Sequence, residues 1–183
     1  MMIYLIRHGK TEANERHLYC GSTDLSLSAM GREELTRLRY ALPAVRFVTS
    51  GMRRTNETLQ LLFGDVTYEA DPRLREMDFG AFEMHSYEEL KEDPAYQAWI
   101  TGDNEANVAP GGESGSMMQQ RVLRAFEEWR QTGQDLAIVT HGGTIAAIMA
   151  AQFPQEGKNR YEWQPKPGGG YLICDGRYQV LDG

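Results

Sequence analysis

Short apolar runs alternate along this chain with stretches in which apolar residues return every three or four positions. Residues 3–6, 45–49, 66–70 and 136–140 are runs of the first kind. They are too short for helices and read as strands buried on both faces, as in a parallel sheet. Between them lie helical patterns. Ser28 reads as an N-cap ahead of Leu35, Leu38 and Leu42, with Pro43 as the stop, and Leu59, Leu62 and Phe63 continue a helix up to Gly64 with Ser50 as its cap. Ser86-Tyr87-Glu88-Glu89 fits a capping box, and Leu90, Tyr96, Trp99 and Ile100 follow in a helix interrupted near Pro94. Ser114 opens a helix through Met118, Val122, Ala125, Phe126 and Trp129 to Gly133, and Ile145, Ile148 and Met149 carry another. Residues 12–24 and 104–112 are loops by composition. Asp175-Gly176 between two strand-like runs predicts a closing hairpin. The alternation predicts a three-layer α/β/α sandwich around a mostly parallel central sheet.

Composition narrows the function classes. A chain of 183 residues suits one domain, here residues 1–183, with 76–112 as a lid or substrate-specificity insertion. The net charge of −7 argues against nucleic acid and anionic membranes as partners. No apolar segment approaches the roughly 20 residues that span a bilayer. The N-terminus lacks the basic region of a signal peptide, and Cys20 and Cys174 form neither a disulfide framework nor a metal-ligand spacing. Together these predict reduced thiols in a cytoplasmic protein.

The chemistry lies at the strand ends. Three junctions deliver residues suited to an oxyanion: Arg7-His8, Arg54 and His141. In a parallel sheet such junctions share one edge, where ligands of open α/β sheets bind. Phosphate is the natural occupant, since arginine grips its oxygens in a fork and the helix start after His141-Gly142 adds N–H groups. There is no Walker-type motif and no metal-binding carboxylate cluster, so neither cofactor nor metal is expected. Two histidines in a phosphate pocket suggest covalent catalysis, with one neutral imidazole attacking phosphorus. Neighbouring arginines favour the neutral ring. The leaving alkoxide needs an acid, for which Glu76, Asp78 and Glu83 are candidates.

These segments resemble a known family. RHGKTEAN is similar to the signature of the histidine phosphatase superfamily, the phosphoglycerate mutase-like fold, and SGMRRTNET, LREMDFGAFE, PGGES, VTHGG and GSTDLSLSAMG resemble its further motifs in the same order. The resemblance implies His8 as the phosphorylated nucleophile and Arg7, Arg54 and His141 as the phosphoryl clamp, with Asn14 and the Gly142 N–H assisting. It implies Glu76 as the general acid and then the base for water. Two positions depart from the pattern. Lys10 replaces the usual glutamate or glutamine beside the pocket, where it would alter substrate affinity, and Gly51 replaces a common proline, which bears on the rigidity of the turn.

Within the family, residues 84–112 carry only Lys91 against six acidic residues, too few cations for the second anionic end of a phosphoglycerate. A phosphomonoesterase is therefore favoured, acting on a small-molecule phosphomonoester, and FGAFEMHSYEEL resembles the α-ribazole phosphatase branch of cobalamin biosynthesis. The alternatives are mutase-type phosphoryl transfer and a non-catalytic phospho-ligand binding protein. A homodimer is compatible with the sequence. His17 and His85 read as exposed loop residues, with His85 close enough to the acid segment to touch substrate. Tyr87, Tyr96 and Trp99 read as the packing face of a lid helix or as an aromatic wall for a ring. Thr11, Thr58 and Ser114 read as local hydrogen bonders, and the methionines as core filler.

Overall fold

The computed structural model describes residues 1–103 and 105–182. In chain order the elements are β1 (Met2–Arg7), α1 (Glu12–Glu15), α2 (Ala29–Thr36), β2 (Arg46–Thr49), α3 (Arg53–Phe63), β3 (Tyr68–Ala70), α4 (Tyr87–Leu90), α5 (Pro94–Ile100), α6 (Gly115–Arg130), β4 (Leu136–Thr140), α7 (Gly142–Gln152), β5 (Gly170–Cys174) and β6 (Arg177–Leu181). The strands form one sheet in the order β3-β2-β4-β1-β5-β6. Its β3-β2-β4-β1 half is parallel, and β5 and β6 add antiparallel partners.

Alternation along the central strands divides the core. Leu5, Val48 and Ile138 face α6 and α7, within a large cluster holding Met118, Val122, Phe126, Ile145 and Ile148. Ile6 and Val139 face the other way, onto Leu59 of α3. Both faces of β1 and β4 are therefore covered, and this is why their sequences are continuous apolar runs. The result is the expected mixed α/β architecture with helices on both sides of a six-stranded sheet.

Several boundaries differ from the sequence expectation. The 12–24 stretch is not all loop: Thr11 and Asn14 form a capping box that starts α1. Asparagine replaces the usual Glu or Gln in that box, which hides the signal. The helix expected to reach Pro43 ends at Thr36, where the Arg39 guanidinium takes over the carbonyls of Thr36 and Leu38. The strand expected at 66–70 covers only Tyr68–Ala70. The Ser86/Glu89 capping box, the break before Pro94, the Ser114 cap and the Asp175-Gly176 hairpin are all present.

Between β3 and α6 the regular structure is limited to short helices, α4 and α5 among them, and the chain packs largely through aromatic rings. Phe82, Tyr96 and Trp99 are buried together, with Tyr19 and Phe79 against them. The Tyr19 and Tyr96 hydroxyls bond at 2.6 Å. Among the described residues no helix is long and apolar enough to cross a membrane.

Candidate active site

The register of three strands assembles the site. In the parallel β1–β4 pair Arg7 lies opposite Thr140, and the His8 N–H donates to the Thr140 carbonyl at 2.9 Å. The next residues, His8 and His141, therefore emerge side by side, their ring centroids 5.1 Å apart and 66° between planes. On the other side of β4, Thr49 lies opposite Val139, which brings Ser50 to the same edge. The chain then turns at Gly51, whose φ of +79° proline could not adopt. The turn is held instead by Thr49, whose hydroxyl accepts from the Gly51 N–H at 3.0 Å and donates to Asn56 Oδ1 at 2.7 Å. Ser50 is not the cap of α3: that position is Met52, with no side-chain cap bond, and the Ser50 hydroxyl meets His141.

Arg54, in the first turn of α3, is 1% exposed. Its guanidinium donates to the carbonyls of Thr23 and Gly21, both at 2.8 Å, and from Nε to His141 Nδ1 at 3.3 Å. Two of its five N–H groups remain to donate. Arg7 donates to the Pro165 carbonyl at 2.7 Å, and its buried Nε has no acceptor among the described residues. Burial lowers the pKa of both arginines, with Glu76 pulling the other way. The pair stays cationic at neutral pH.

His8 donates from Nδ1 to the Gly9 carbonyl at 2.7 Å, leaving a lone pair on Nε2. Burial first, then the charges of Arg54 and Arg7, hold His8 well below the usual histidine range, so the ring is neutral. Burial, and then Arg54, likewise lead the causes that hold His141 low. Thr58 accepts the Gly9 N–H at 3.0 Å and so ties this loop to α3.

Glu76 reaches the start of α7. Its Oε2 accepts from the Gly143 N–H at 2.8 Å and its Oε1 from the Met77 N–H at 3.0 Å. A side chain at 143 would collide with it, since a Cβ there would lie 2.3 Å from Glu76 Oε1. Gly142 opens α7, so its N–H has no partner within the helix. Asn14 accepts from the Thr11 N–H and hydroxyl through Oδ1, at 2.9 and 3.0 Å, leaving its amide N–H groups for the cleft it lines.

The other acid candidates are committed elsewhere. Glu83 accepts from the backbone N–H groups of Gly21, Ser22, Thr23 and Phe79, and Asp78 from the Ser22 hydroxyl and the Gly80 N–H. His17 and His85 are exposed, and neither lines the cleft. Lys10, expected beside the pocket, pairs with Glu34 of α2 at 2.7 Å.

Arg7, Asn14, Glu76 and Gly143 line a cleft of about 300 Å³. Tyr19, Phe79, Trp99 and Ile100 form an apolar wall, and Arg160, Tyr161 and Gln164 face it from the segment before β5. Of the three aromatics weighed for a lid helix or a wall, Tyr96 is buried, Tyr87 is exposed and Trp99 lines the cleft. The sequence did not mark Tyr19, Cys20, Arg160, Tyr161 or Gln164 as cleft residues. The 157–168 stretch has no periodicity, and an Arg-Tyr pair in a loop was its one signal. Among the described residues no cluster of three or more His, Cys, Asp or Glu could hold a metal.

The chain resembles known proteins in sequence and in fold. The family model described as "histidine phosphatase superfamily (branch 1)" matches residues 3–169. An adenosylcobalamin/α-ribazole phosphatase of Salmonella typhimurium is 32% identical, over 96% of this chain and 92% of its own. The crystal structure of the α-ribazole phosphatase from Shigella flexneri superposes with a TM-score of 0.86 at 28% identity, covering 100% of this chain and 96% of that one. A phosphoglycerate mutase from Thermus thermophilus gives a TM-score of 0.76 at 32% identity, covering 99% and 96%. With the strand-end histidines and arginines gathered at one sheet edge, the chain belongs to the histidine phosphatase superfamily.

Proposed function

We propose that the chain hydrolyses a small phosphomonoester through a phosphohistidine on His8, without a metal. One observation carries this reading: the neutral His8 ring, its Nδ1 tied to the Gly9 carbonyl, lies beside the His141 ring and within the field of Arg54 and Arg7, with the Glu76 carboxylate held at Gly143 just beyond His141. In the first step the Nε2 lone pair forms a bond to phosphorus while the bond to the leaving oxygen breaks. That oxygen takes a proton from the Glu76 carboxylic acid. In the second step water gives a proton to Glu76 and its oxygen attacks phosphorus, returning the electron pair to Nε2. Arg7, Arg54, His141, Asn14 and the Gly142 N–H hold the phosphoryl oxygens, where the buried guanidinium of Arg54 and the half-buried one of Arg7 supply the charge that a metal supplies elsewhere.

The substrate we propose is α-ribazole 5′-phosphate, with residues 76–112 as the specificity segment. Relatives named for that substrate support this, as does a cleft whose apolar wall suits a ring. The likeness to a phosphoglycerate mutase supports a second reading, phosphoryl transfer between positions of a phosphoglycerate. It is the weaker one, because the cation facing the outer cleft, Arg160, is already paired with Glu105 at 2.7 Å. The test is phosphate release from α-ribazole 5′-phosphate, from aryl phosphates and from phosphoglycerates, with and without EDTA. The expected result is EDTA-insensitive release from the ribazole ester and acid-labile phosphate on His8 after brief exposure. Full activity in His8→Ala would overturn the mechanism, and a preference for phosphoglycerates would overturn the substrate.

A further inference from the structure

The hydrogen bonds around His141 fix where its proton sits. Arg54 can only donate, so its Nε–H, 3.3 Å from His141 Nδ1, makes Nδ1 the acceptor. The neutral ring then carries its hydrogen on Nε2, which donates to Ser50 Oγ at 2.8 Å. The chain continues in one direction. Thr55 Oγ1 gives its hydrogen to the Met52 carbonyl at 2.8 Å, so the Ser50 hydroxyl donates to Thr55 Oγ1 at 3.0 Å. Ser50 and Thr55 are fully buried, so water does not compete for these bonds.

Nε2 is thus occupied, and Nδ1 is the ring nitrogen left to meet an oxyanion. A lone pair on Nδ1 would repel it. We propose that Ser50 is a positioning residue that makes oxyanion binding proton-linked: it holds His141 as the Nε2–H form, so the anion enters together with one proton from solvent, which lands on Nδ1. The inference rests on the reading of this pocket as the phosphoryl site. The Arg54 Nε–H, released from Nδ1, turns to the same anion. Burial first, then Arg54 on α3, His8 just after β1, Arg7 at the end of β1 and Arg121 on α6, all disfavour a charged His141 in the free protein. Arg75 donates to the Ser50 carbonyl at 3.4 Å, and the nearby carboxylate of Glu76 is bound to Gly143. An anion beside Nδ1 supplies the missing counter-charge.

The experiment is calorimetric titration with sodium sulfate, which is fully ionised near neutrality and brings no proton. It is run in two buffers of different ionisation enthalpy. About one proton is taken up per sulfate, and Kd rises about tenfold per pH unit. In His8→Ala the uptake remains, because it belongs to His141. In Ser50→Ala the Nε2–H loses its acceptor, and the ring is free to carry its hydrogen on Nδ1. Sulfate then still binds, but uptake falls well below half a proton and the pH slope flattens. A purely structural Ser50 would weaken binding and leave the proton count unchanged. Binding without uptake in the wild-type protein, or uptake lost in His8→Ala or kept in Ser50→Ala, overturns the proposal and leaves the phosphatase reading standing. Failure of sulfate to bind the wild-type protein overturns both.

Discussion

Glu76 Oε2 and the Gly143 N–H meet at 2.8 Å, so the carboxylate proposed as general acid is anchored on the helix whose start faces the phosphoryl pocket. The contact depends on the lack of a Cβ at 143. It couples two motifs that lie 67 residues apart. The aim of this carboxylate is therefore set by backbone, and it faces the cleft that Arg7 and Asn14 also line.

Replacing Glu76 by glutamine keeps the shape and removes the transferable proton. The expected loss depends on the leaving group. With an alkyl phosphate, whose alkoxide needs protonation, kcat falls roughly 10²- to 10⁴-fold. With p-nitrophenyl phosphate, whose leaving group departs as a stable anion, the loss is much smaller. Steady-state assays on both esters give the ratio. Equal losses on the two would remove Glu76 from the acid role.

Gly143→Ala separates aim from fold. The near atoms around an added Cβ are all the end of the Glu76 side chain, which can swing away. Alanine favours a helix over glycine by up to about 1 kcal/mol, so the melting temperature holds or rises. Displacing the acid lowers kcat for alkyl esters by about 10²-fold, near the lower limit for losing an acid catalyst. Thermal melts and alkyl-ester assays on the same preparation check both halves. Unchanged turnover would show that the Glu76–Gly143 contact does not set the acid's position.

Much of this was legible in the sequence because strand ends carry both pattern and chemistry. The apolar runs before His8 and His141 marked two buried parallel strands, and parallel register alone then places the two rings together. From residue chemistry alone the Glu76, Asp78 and Glu83 segment was legible only as a cluster, and it was the family resemblance that pointed to Glu76, because which carboxylate turns inward depends on backbone donors from distant loops. Ser50 looked like a helix cap, since its partner His141 lies 91 residues away. Arg160 and Tyr161 carried no periodic signal as cleft residues, because their loop is placed by Trp163 packing onto Tyr171 and Tyr178 of the sheet rather than by any period of its own.

Glu83 is expected to act at a distance through the loop it holds. Its carboxylate gathers N–H groups from Gly21, Ser22, Thr23 and Phe79, while the carbonyls of Gly21 and Thr23 hold Arg54. Glu83→Gln replaces an all-acceptor group with one that also donates, facing several donors. The cost is about 1–3 kcal/mol of stability. The looser loop lets Arg54 move, so KM rises more than kcat falls. Denaturant titration and a full kinetic profile test this. A kcat loss with KM unchanged would place Glu83 in the chemistry instead.

Acid should destabilise the fold through the two buried histidines. Both are held well below the ordinary value when folded, by burial first and then by the nearby arginines. The unfolded chain regains a value of about 6.5 and therefore binds more protons as pH falls through that point. More protons on the unfolded side means that stability drops toward acid and levels off above about pH 7.5. Between about pH 7.5 and pH 5.5 each histidine costs roughly 1.4 kcal/mol. His8→Ala removes one of the two, so its acid loss should be smaller than that of the wild-type chain by about that amount. Urea melts of both proteins at the two pH values measure the difference. Identical losses would mean that His8 is not held neutral in the folded protein, and the neutral nucleophile proposed here would have to be abandoned.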